Sequence, residues 1–194
     1  MTDRRYPDTL TVRAGRERYF ESSGFDTKTY TDRWIKLPLG PVTLYLPNLP
    51  ARQEAVPLHD VDHVLTGYDA TWRGEFQIAA FELGTGLGRY WAGWLLNSQT
   101  VILGALLCPG DTLRAFVRGR RCHSSLFTRS TVDDTLLNMT LGALRTELGL
   151  DEDTGPPTLS ERVAYAGTVA TALFANAGTL LLAGWAFWTA LGVQ

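Results

Sequence analysis

Two of the three histidines in this 194-residue chain lie four positions apart, in the stretch LHDVDHVLTG at residues 58–67. On a helix, residues four apart share a face, with Cβ atoms about 5 to 6 Å apart, so His59 and His63 can converge on one ion. The same spacing occurs in HExxH zinc sites, and Gly67 is placed to end the helix after the pair. The stretch therefore predicts half of a metal site.

Two aspartates are interleaved with these histidines. Asp60 would either bind the metal or hold a histidine or a metal-bound water in place. Asp62 points elsewhere on the helix, and we expect it at the surface. Because packing alone also produces HxxxH pairs, the site needs a further ligand.

The next predicted helix, WRGEFQIAAFELG, supplies that ligand. Two helices joined by the short turn GYDAT pack antiparallel, which brings Glu75 close to His63. Two histidines and one carboxylate leave open positions for water or substrate, and they suit zinc, iron, cobalt or manganese. Glu82 lies two turns further along the same face, as either a buried proton carrier or a helix-surface carboxylate. Asp60 and Glu82 are the candidate catalytic residues.

The elements that must position these residues are mostly helical. Prolines and turns fill the first 57 residues, apart from a β-hairpin with strands near 34–37 and 42–46. Helical spacing predicts helices at 57–66, 72–84, 87–98, 100–107, 109–120, 134–148 and 159–192. The expected fold is mainly α: a helical bundle with a short N-terminal β-hairpin and an apolar C-terminal helix or helix pair.

Three regions follow from this pattern. Residues 1–56 form the turn-rich segment with the hairpin, residues 57–155 the metal-binding helical domain, and residues 156–194 an apolar C-terminal segment. No side chain from Val163 to Gln194 is charged, and a bilayer-spanning helix needs about 20 apolar residues. The segment predicts membrane association, with Trp185 and Trp188 suited to the interface; the alternative is an apolar core or dimerisation helix, so a homo-oligomer stays open.

A second uncharged stretch, residues 90–108, is interrupted by Asn97-Ser98-Gln99-Thr100 and predicts two short buried or interfacial helices. A cluster of arginines follows it in LRAFVRGRRC, on the helix face opposite the apolar residues. Such a face suits anionic lipid headgroups or a phosphate, although a solvated surface is the commoner meaning. The candidate headgroup contacts are Arg114, Arg118, Arg120 and Arg121.

Composition narrows the classes of partner. The net charge of −2 argues against nucleic acid, and Cys108 and Cys122 have no CxxC spacing. The N-terminal residues lack the apolar segment of a secretory signal. We therefore expect the chain at the cytoplasmic side of a membrane, either peripheral or anchored by its C-terminal segment.

The residues of the predicted metal site resemble the signature motif of a known family. His59-Asp60-x-x-His63 followed, eleven residues later, by Glu75 resembles the HDxxH-x11-E signature of the coenzyme Q biosynthesis family often called Coq-four. The stretches HDVDHVLTG and GEFQIAAFE, with Glu82 seven residues after Glu75, look like that family's helix pair. LRAFVRGRRC and LGALRTELGL are similar to its later segments, so the resemblance covers roughly residues 57 to 150.

The resemblance implies a mostly α, membrane-associated protein that acts on a polyprenylated benzoate-type quinone precursor. The family is linked to oxidative decarboxylation, in which a hydroxyl replaces the carboxylate at ring carbon one, and to organising other quinone-biosynthesis proteins around the lipid. It implies a divalent metal held by His59, Asp60, His63 and Glu75. Redox chemistry favours iron over zinc, because zinc does not change oxidation state.

Three hypotheses are open from the sequence. The first is a metal-dependent enzyme on a prenylated aromatic lipid. The second is a non-catalytic scaffold that binds prenyl or other isoprenoid lipids and keeps a structural metal. The third is a metal-dependent hydrolase, since the same ligands suit zinc-activated water.

Overall fold

A computed structural model describes residues 6–24, 28–39, 42–150 and 155–190 of the chain. The fold is mainly α with one short strand pair, which confirms the predicted helical bundle. In chain order, the elements are α1 (Val12–Ser23), α2 (Lys28–Thr31), β1 (Trp34–Leu39), β2 (Val42–Pro47), α3 (Pro50–Thr66), α4 (Trp72–Thr85), α5 (Trp91–Leu107), α6 (Pro109–Arg120), α7 (Asp134–Asn138), α8 (Leu141–Leu148) and α9 (Leu159–Ala190).

The N-terminal segment contains the predicted hairpin and two helices that were not predicted, α1 and the short α2. β1 and β2 pair antiparallel, with Trp34 opposite Pro47. Thr11 caps the start of α1, where its side chain accepts a hydrogen bond from the Ala14 amide, and Gly24 in the left-handed conformation follows the last residue of the helix. Its buried positions are few and include a glycine, so its apolar pattern is weak in the sequence.

Three predicted helix boundaries are wrong. α3 begins at Pro50 and runs through Pro57, which was predicted as its start. The predicted helices 87–98 and 100–107 are one helix, α5, because the hydroxyls of Ser98 and Thr100 bond to carbonyls within the helix and do not interrupt it. The predicted helix 134–148 is divided in two at Met139, whose backbone is extended, and Thr140 caps α8.

Close packing of α4 against α6 fixes the helix that carries Glu75 and Glu82. A Cβ on Gly84 would lie 2.3 Å from the Phe116 carbonyl oxygen, and one on Gly119 would lie 2.2 Å from the Phe81 carbonyl oxygen. Both contacts are with backbone, so neither neighbour can move aside cheaply. Glycine at these two positions lets the two helix backbones approach each other.

The end of α3 is held by a buried arginine that the sequence did not single out. Arg145 of α8 is fully buried, and it donates hydrogen bonds to the Val64 and Leu65 carbonyls. Its guanidinium also pairs with Asp8. Because the last carbonyls of a helix lack partners within it, this side chain fixes the end of α3 just after His63.

The C-terminal segment forms one helix, α9, which packs along α5 and α6. Asn176 donates to the Ser98 hydroxyl of α5, and Glu161 pairs with Arg121 just after α6. Ala172 is buried, whereas Phe174 of α9 and Leu106 of α5 are 80% and 74% exposed. The side chains of Trp185 and Trp188 lie outside the described residues. Within the part of the chain that is described, a helix long and apolar enough to cross a bilayer is not found.

Candidate metal centre

The two histidines of α3 face each other across one helical turn. Their Nε2 atoms are 3.1 Å apart, and their rings meet edge to face with centroids 4.6 Å apart. The His63 side chain is fully buried and stacks on the Tyr19 ring of α1 at 5.0 Å. Tyr19 therefore lies flat against the His63 ring and fixes its plane.

Glu75 brings the third set of ligand atoms from α4. Thr71 caps this helix by accepting a hydrogen bond from the Gly74 amide, which places Glu75 in the first turn. Its Oε2 lies 3.7 Å from His59 Nε2, and its Oε1 lies 3.5 Å from His63 Nε2. All three ligand atoms lie within 4.8 Å of one another, so the predicted juxtaposition of Glu75 with both histidines is present.

The far sides of both imidazole rings are held by hydrogen-bond acceptors. His63 Nδ1 lies 2.9 Å from the Tyr68 carbonyl oxygen, and His59 Nδ1 lies 2.7 Å from Glu82 Oε1. A carbonyl only accepts, so His63 carries its proton on Nδ1 and turns the lone pair of Nε2 toward His59. Metal-binding histidines in proteins are oriented by this kind of outer contact.

The pKa values of the two histidines are shifted in opposite directions. Burial, with a contribution from His59, lowers the pKa of His63 to about 4. Burial also opposes the charge on His59, but Glu82 and Glu75 outweigh it and raise the pKa of that ring well above its usual value. Two Nε2 lone pairs at 3.1 Å repel unless a proton or a cation lies between them. The donor set therefore fits a metal ion, which would replace the proton of His59.

Access to the ligand atoms is from one side. The side chains of His59 and Glu75 are 23% and 31% exposed, whereas His63 is closed off from solvent. Two imidazoles and one carboxylate leave coordination positions open on the exposed side. Such a set suits zinc, iron, cobalt or manganese.

Glu82 lies behind His59. It is buried, its Oε1 contacts His59 Nδ1, and its Oε2 accepts a hydrogen bond from Asn97 Nδ2 of α5 at 2.5 Å. The alternative of a helix-surface carboxylate is therefore wrong. The predicted role of proton carrier stays a prediction, and its position is that of a carboxylate that orients His59.

The two aspartates of α3 differ from expectation. Asp60 was a candidate metal ligand, but its buried carboxylate accepts a hydrogen bond from the Tyr30 hydroxyl of α2, and it is not part of the group of converging ligand atoms. Asp62 was expected at the surface, and this is wrong: it is buried, and its Oδ2 has no hydrogen-bond partner among the described residues. Burial and the nearby Glu82 raise its pKa well above its usual range.

The four arginines predicted to contact headgroups each make different contacts in the structure. Arg120 lies over the Phe116 ring at 6.0 Å, and Arg121 binds Glu161 and the carbonyls of Gly155 and Pro156. Arg114 pairs with Asp111, and Arg118 donates to the Thr66 carbonyl at 2.9 Å. Contact with a headgroup stays a prediction for all four.

Tyr19, Tyr68 and Asn97 were not predicted as part of the site. Asn97 had a signal in the sequence, since it is an amide within an uncharged helix, and buried amides need partners. The Tyr68 carbonyl had none, because any residue at that position offers the same acceptor.

Comparison with known proteins gives no match, whether to protein-family models, to curated proteins or to solved structures. The candidate metal centre is therefore supported by its geometry alone, and the resemblance to the Coq-four family stays a prediction from the motif.

Proposed function

We propose that this chain binds a divalent metal ion through His59, His63 and Glu75 and uses it on a prenylated aromatic acid. The observation that carries the proposal is the convergence of the three ligand atoms within 4.8 Å of one another. The outer contacts of both rings to Glu82 and Tyr68 support it, because they turn both Nε2 atoms toward the carboxylate.

The reaction we propose is the one that the HDxxH-x11-E resemblance implies, replacement of a ring carboxylate by a hydroxyl. With dioxygen as oxidant, the acid, one water and one dioxygen give the phenol, carbon dioxide and hydrogen peroxide. The aromatic acid loses two electrons, and dioxygen gains them. A bound iron, or another metal with two accessible oxidation states, would supply the electron transfer that zinc does not. On the protein's side, His59 and Glu75 border the exposed approach, and the buried His63 anchors the site.

A second candidate is a non-catalytic protein that binds prenyl lipids, with a structural metal and other quinone-biosynthesis proteins as partners. The contacts of the two candidate catalytic carboxylates favour it. Glu82 uses both of its oxygens on His59 and Asn97, and Asp60 binds Tyr30. Both carboxylates are thus engaged in contacts within the chain, which suits a role in holding other side chains in place.

Both candidates include a membrane partner. α5 and the described part of α9 after Arg162 carry no charged side chain, and large apolar residues on both helices are exposed, among them Leu103, Leu107 and Leu181. Exposed apolar area costs about 25 cal/mol per Å² in water, and contact with lipid removes that cost. We propose that this pair of helices lies on the cytoplasmic side of a membrane as a peripheral contact.

Metal and lipid analysis of the purified chain separates the two candidates. The enzyme hypothesis expects iron or another redox metal, together with release of carbon dioxide from a prenylated hydroxybenzoate that stops when dioxygen is removed. The scaffold hypothesis expects a co-purified prenyl lipid and tightly held zinc, with no turnover. A protein with no metal and no bound lipid would contradict both.

The matched variants are His63→Ala and Asp134→Ala. His63 is a buried ligand, whereas Asp134 is exposed on α7 and pairs with Arg13. Loss of metal and turnover in the first variant alone would support the proposal. Turnover that survives in His63→Ala would contradict it.

A further inference from the structure

A cavity lies between α4, α6 and the segment that leads into α9, and it is lined by Tyr68, whose carbonyl contacts His63. Its volume is about 230 Å³, and none of the three metal ligands lines it. The side chains that give it its chemistry are Tyr68, Gln77, Asp111, Arg114 and Arg118. The cavity is therefore a separate place with its own set of polar groups.

The charges at this cavity do not balance. Asp111 is nearly buried and shares its carboxylate between two arginines: Arg73 Nε lies 2.6 Å from one oxygen, and Arg114 pairs with the other. Arg118 lies one helical turn from Arg114 on the same face of α6. Two guanidinium groups, those of Arg114 and Arg118, thus line the cavity, and the single carboxylate that lines it is already shared with Arg73 outside the lining.

Donor groups are left over on three side chains. Arg118 uses Nη1 on the Thr66 carbonyl and lies over the Tyr68 ring at 5.6 Å, and its other N–H groups have no hydrogen-bond partner among the described residues. Arg114 bonds to Asp111 through Nη2 alone within the same part of the chain. No hydrogen bond from the Gln77 amide to another described residue is found, although this side chain lines the cavity. Donors outnumber acceptors here.

We propose that this cavity binds a phosphate-type dianion through Arg114 and Arg118. Guanidinium groups bind phosphate oxygens through paired N–H groups, and two of them on one face suit an anion with oxygens on several sides. Because Arg73 shares the charge of Asp111 from outside the cavity, Asp111 neutralises less than one of the two lining guanidinium groups, and a dianion can pair with both. The Gln77 amide adds a neutral donor. This proposal does not depend on the reaction at the metal centre.

The anion has two sources with the same chemistry, free phosphate and the phosphate of a lipid headgroup. Titration calorimetry with inorganic phosphate at low salt tests the first. Sedimentation with phosphatidylcholine vesicles, with and without phosphatidic acid, tests the second, since both vesicle types offer the same apolar surface. Binding that depends on phosphatidic acid, and that free phosphate competes away, would assign the headgroup as the source.

Arginine variants decide whether the cavity is responsible. Hydrogen bonds to charged groups imply roughly ten- to hundredfold weaker phosphate binding in Arg114→Gln and in Arg118→Gln. The control is Arg13→Gln, which removes the same charge from an exposed pair with Asp134 on the surface. If Arg118→Gln fails to fold because the Thr66 carbonyl loses its partner, Arg114→Gln decides alone, since Asp111 keeps Arg73.

Phosphate could also reach a metal ion at the other site, so a ligand variant is included. Phosphate binding that survives in His59→Ala and falls in Arg114→Gln supports the proposal. The proposal is wrong if neither phosphate nor phosphatidic acid binds, if Arg13→Gln weakens binding as much as Arg114→Gln, or if His59→Ala abolishes binding.

Discussion

His59 Nδ1 lies 2.7 Å from Glu82 Oε1, on the side of the ring opposite the Nε2 atom that faces His63 and Glu75. One imidazole therefore joins a buried carboxylate to the converging ligand atoms. The orientation of His59 depends on α4 twice, through Glu82 behind the ring and through Glu75 in front of it.

Removal of a ligand side chain should remove the metal. Loss of an outer contact alone typically costs about 10- to 100-fold in metal affinity, so Glu75→Ala should cost more than that. Asp60→Asn is the discriminating variant, because Asp60 binds Tyr30 and is not part of the converging group. It should retain full metal content by elemental mass spectrometry. Full occupancy in Glu75→Ala, or an empty site in Asp60→Asn, would show that the ligand assignment is wrong.

Glu82→Gln should weaken the site without removing a ligand atom. The amide is uncharged and has one acceptor oxygen where Glu82 uses two, on His59 and Asn97, so metal affinity should fall about 10- to 100-fold in competition with a chelator. Glu147→Gln is the control, since Glu147 pairs with Arg129 on the surface of α8. Equal affinities in the two variants would argue that Glu82 is only a packing residue.

Metal binding near neutral pH should release about one proton, and that proton comes from His59. In the metal-free protein the raised pKa of His59 keeps this ring charged, whereas the pKa of His63, about 4, leaves that ring neutral and ready to bind. Affinity should therefore fall as the pH falls. Calorimetry in buffers of different ionisation enthalpy counts the protons, and release of two would contradict the assignment of His63 as neutral.

Gly119→Ala should destabilise the fold by forcing α6 away from α4. The new Cβ would lie 2.2 Å from the Phe81 carbonyl oxygen, and overpacking of this kind costs about 1 to 3 kcal/mol. Gly167→Ala is the matched control in α9, where nothing lies within 4 Å, and it should gain up to about 1 kcal/mol from helix propensity. Urea denaturation measures both, and equal stabilities would contradict the close approach.

Acid should loosen the start of α9 by protonating Glu161. The hydrogen bond from Arg121, with that from the Thr158 amide, lowers the pKa of Glu161 to about 2 from 4.5. Because the folded pKa is lower than the unfolded one, this stabilisation is complete above the unfolded value and is lost as the pH falls from 4.5 toward 2. Glu161→Gln should remove about 1 kcal/mol of it at neutral pH. Hydrogen exchange at the first turns of α9 is the measurement, and unchanged exchange in the variant would contradict this role.

The half of the site that is local in the chain could be predicted from the sequence. His59 and His63 are one turn apart on a helix, and Glu75 follows a short turn, so helix geometry alone brings them together. The contacts from distant elements could not be predicted. Asn97 reaches Glu82 only because α5 packs on α4, and Tyr19 reaches His63 only because a weakly patterned helix forms near the N-terminus.

Contacts from distant elements also explain why Asp62 of α3 was wrongly predicted at the surface. A helical wheel assigns one face of α3 to the core, but this helix is contacted by α1, α2, α4, α5 and α8. A helix with neighbours on several sides buries residues on several faces, and Asp62 is one of them. Periodicity within a single segment contains no information on how many neighbours will pack against it.

The hydrogen bond between Glu82 and Asn97 links the position of α5 to the orientation of His59. Asn97 is a buried amide on α5, a helix whose outer side is apolar and exposed. Two hydrogen bonds connect it to His59, one between Asn97 and Glu82 and one between Glu82 and the ring. A displacement of α5 by a fraction of its own turn would leave Glu82 with one partner instead of two. The affinity for a metal ion would then depend on the position of α5, and competition with a chelator would measure that dependence.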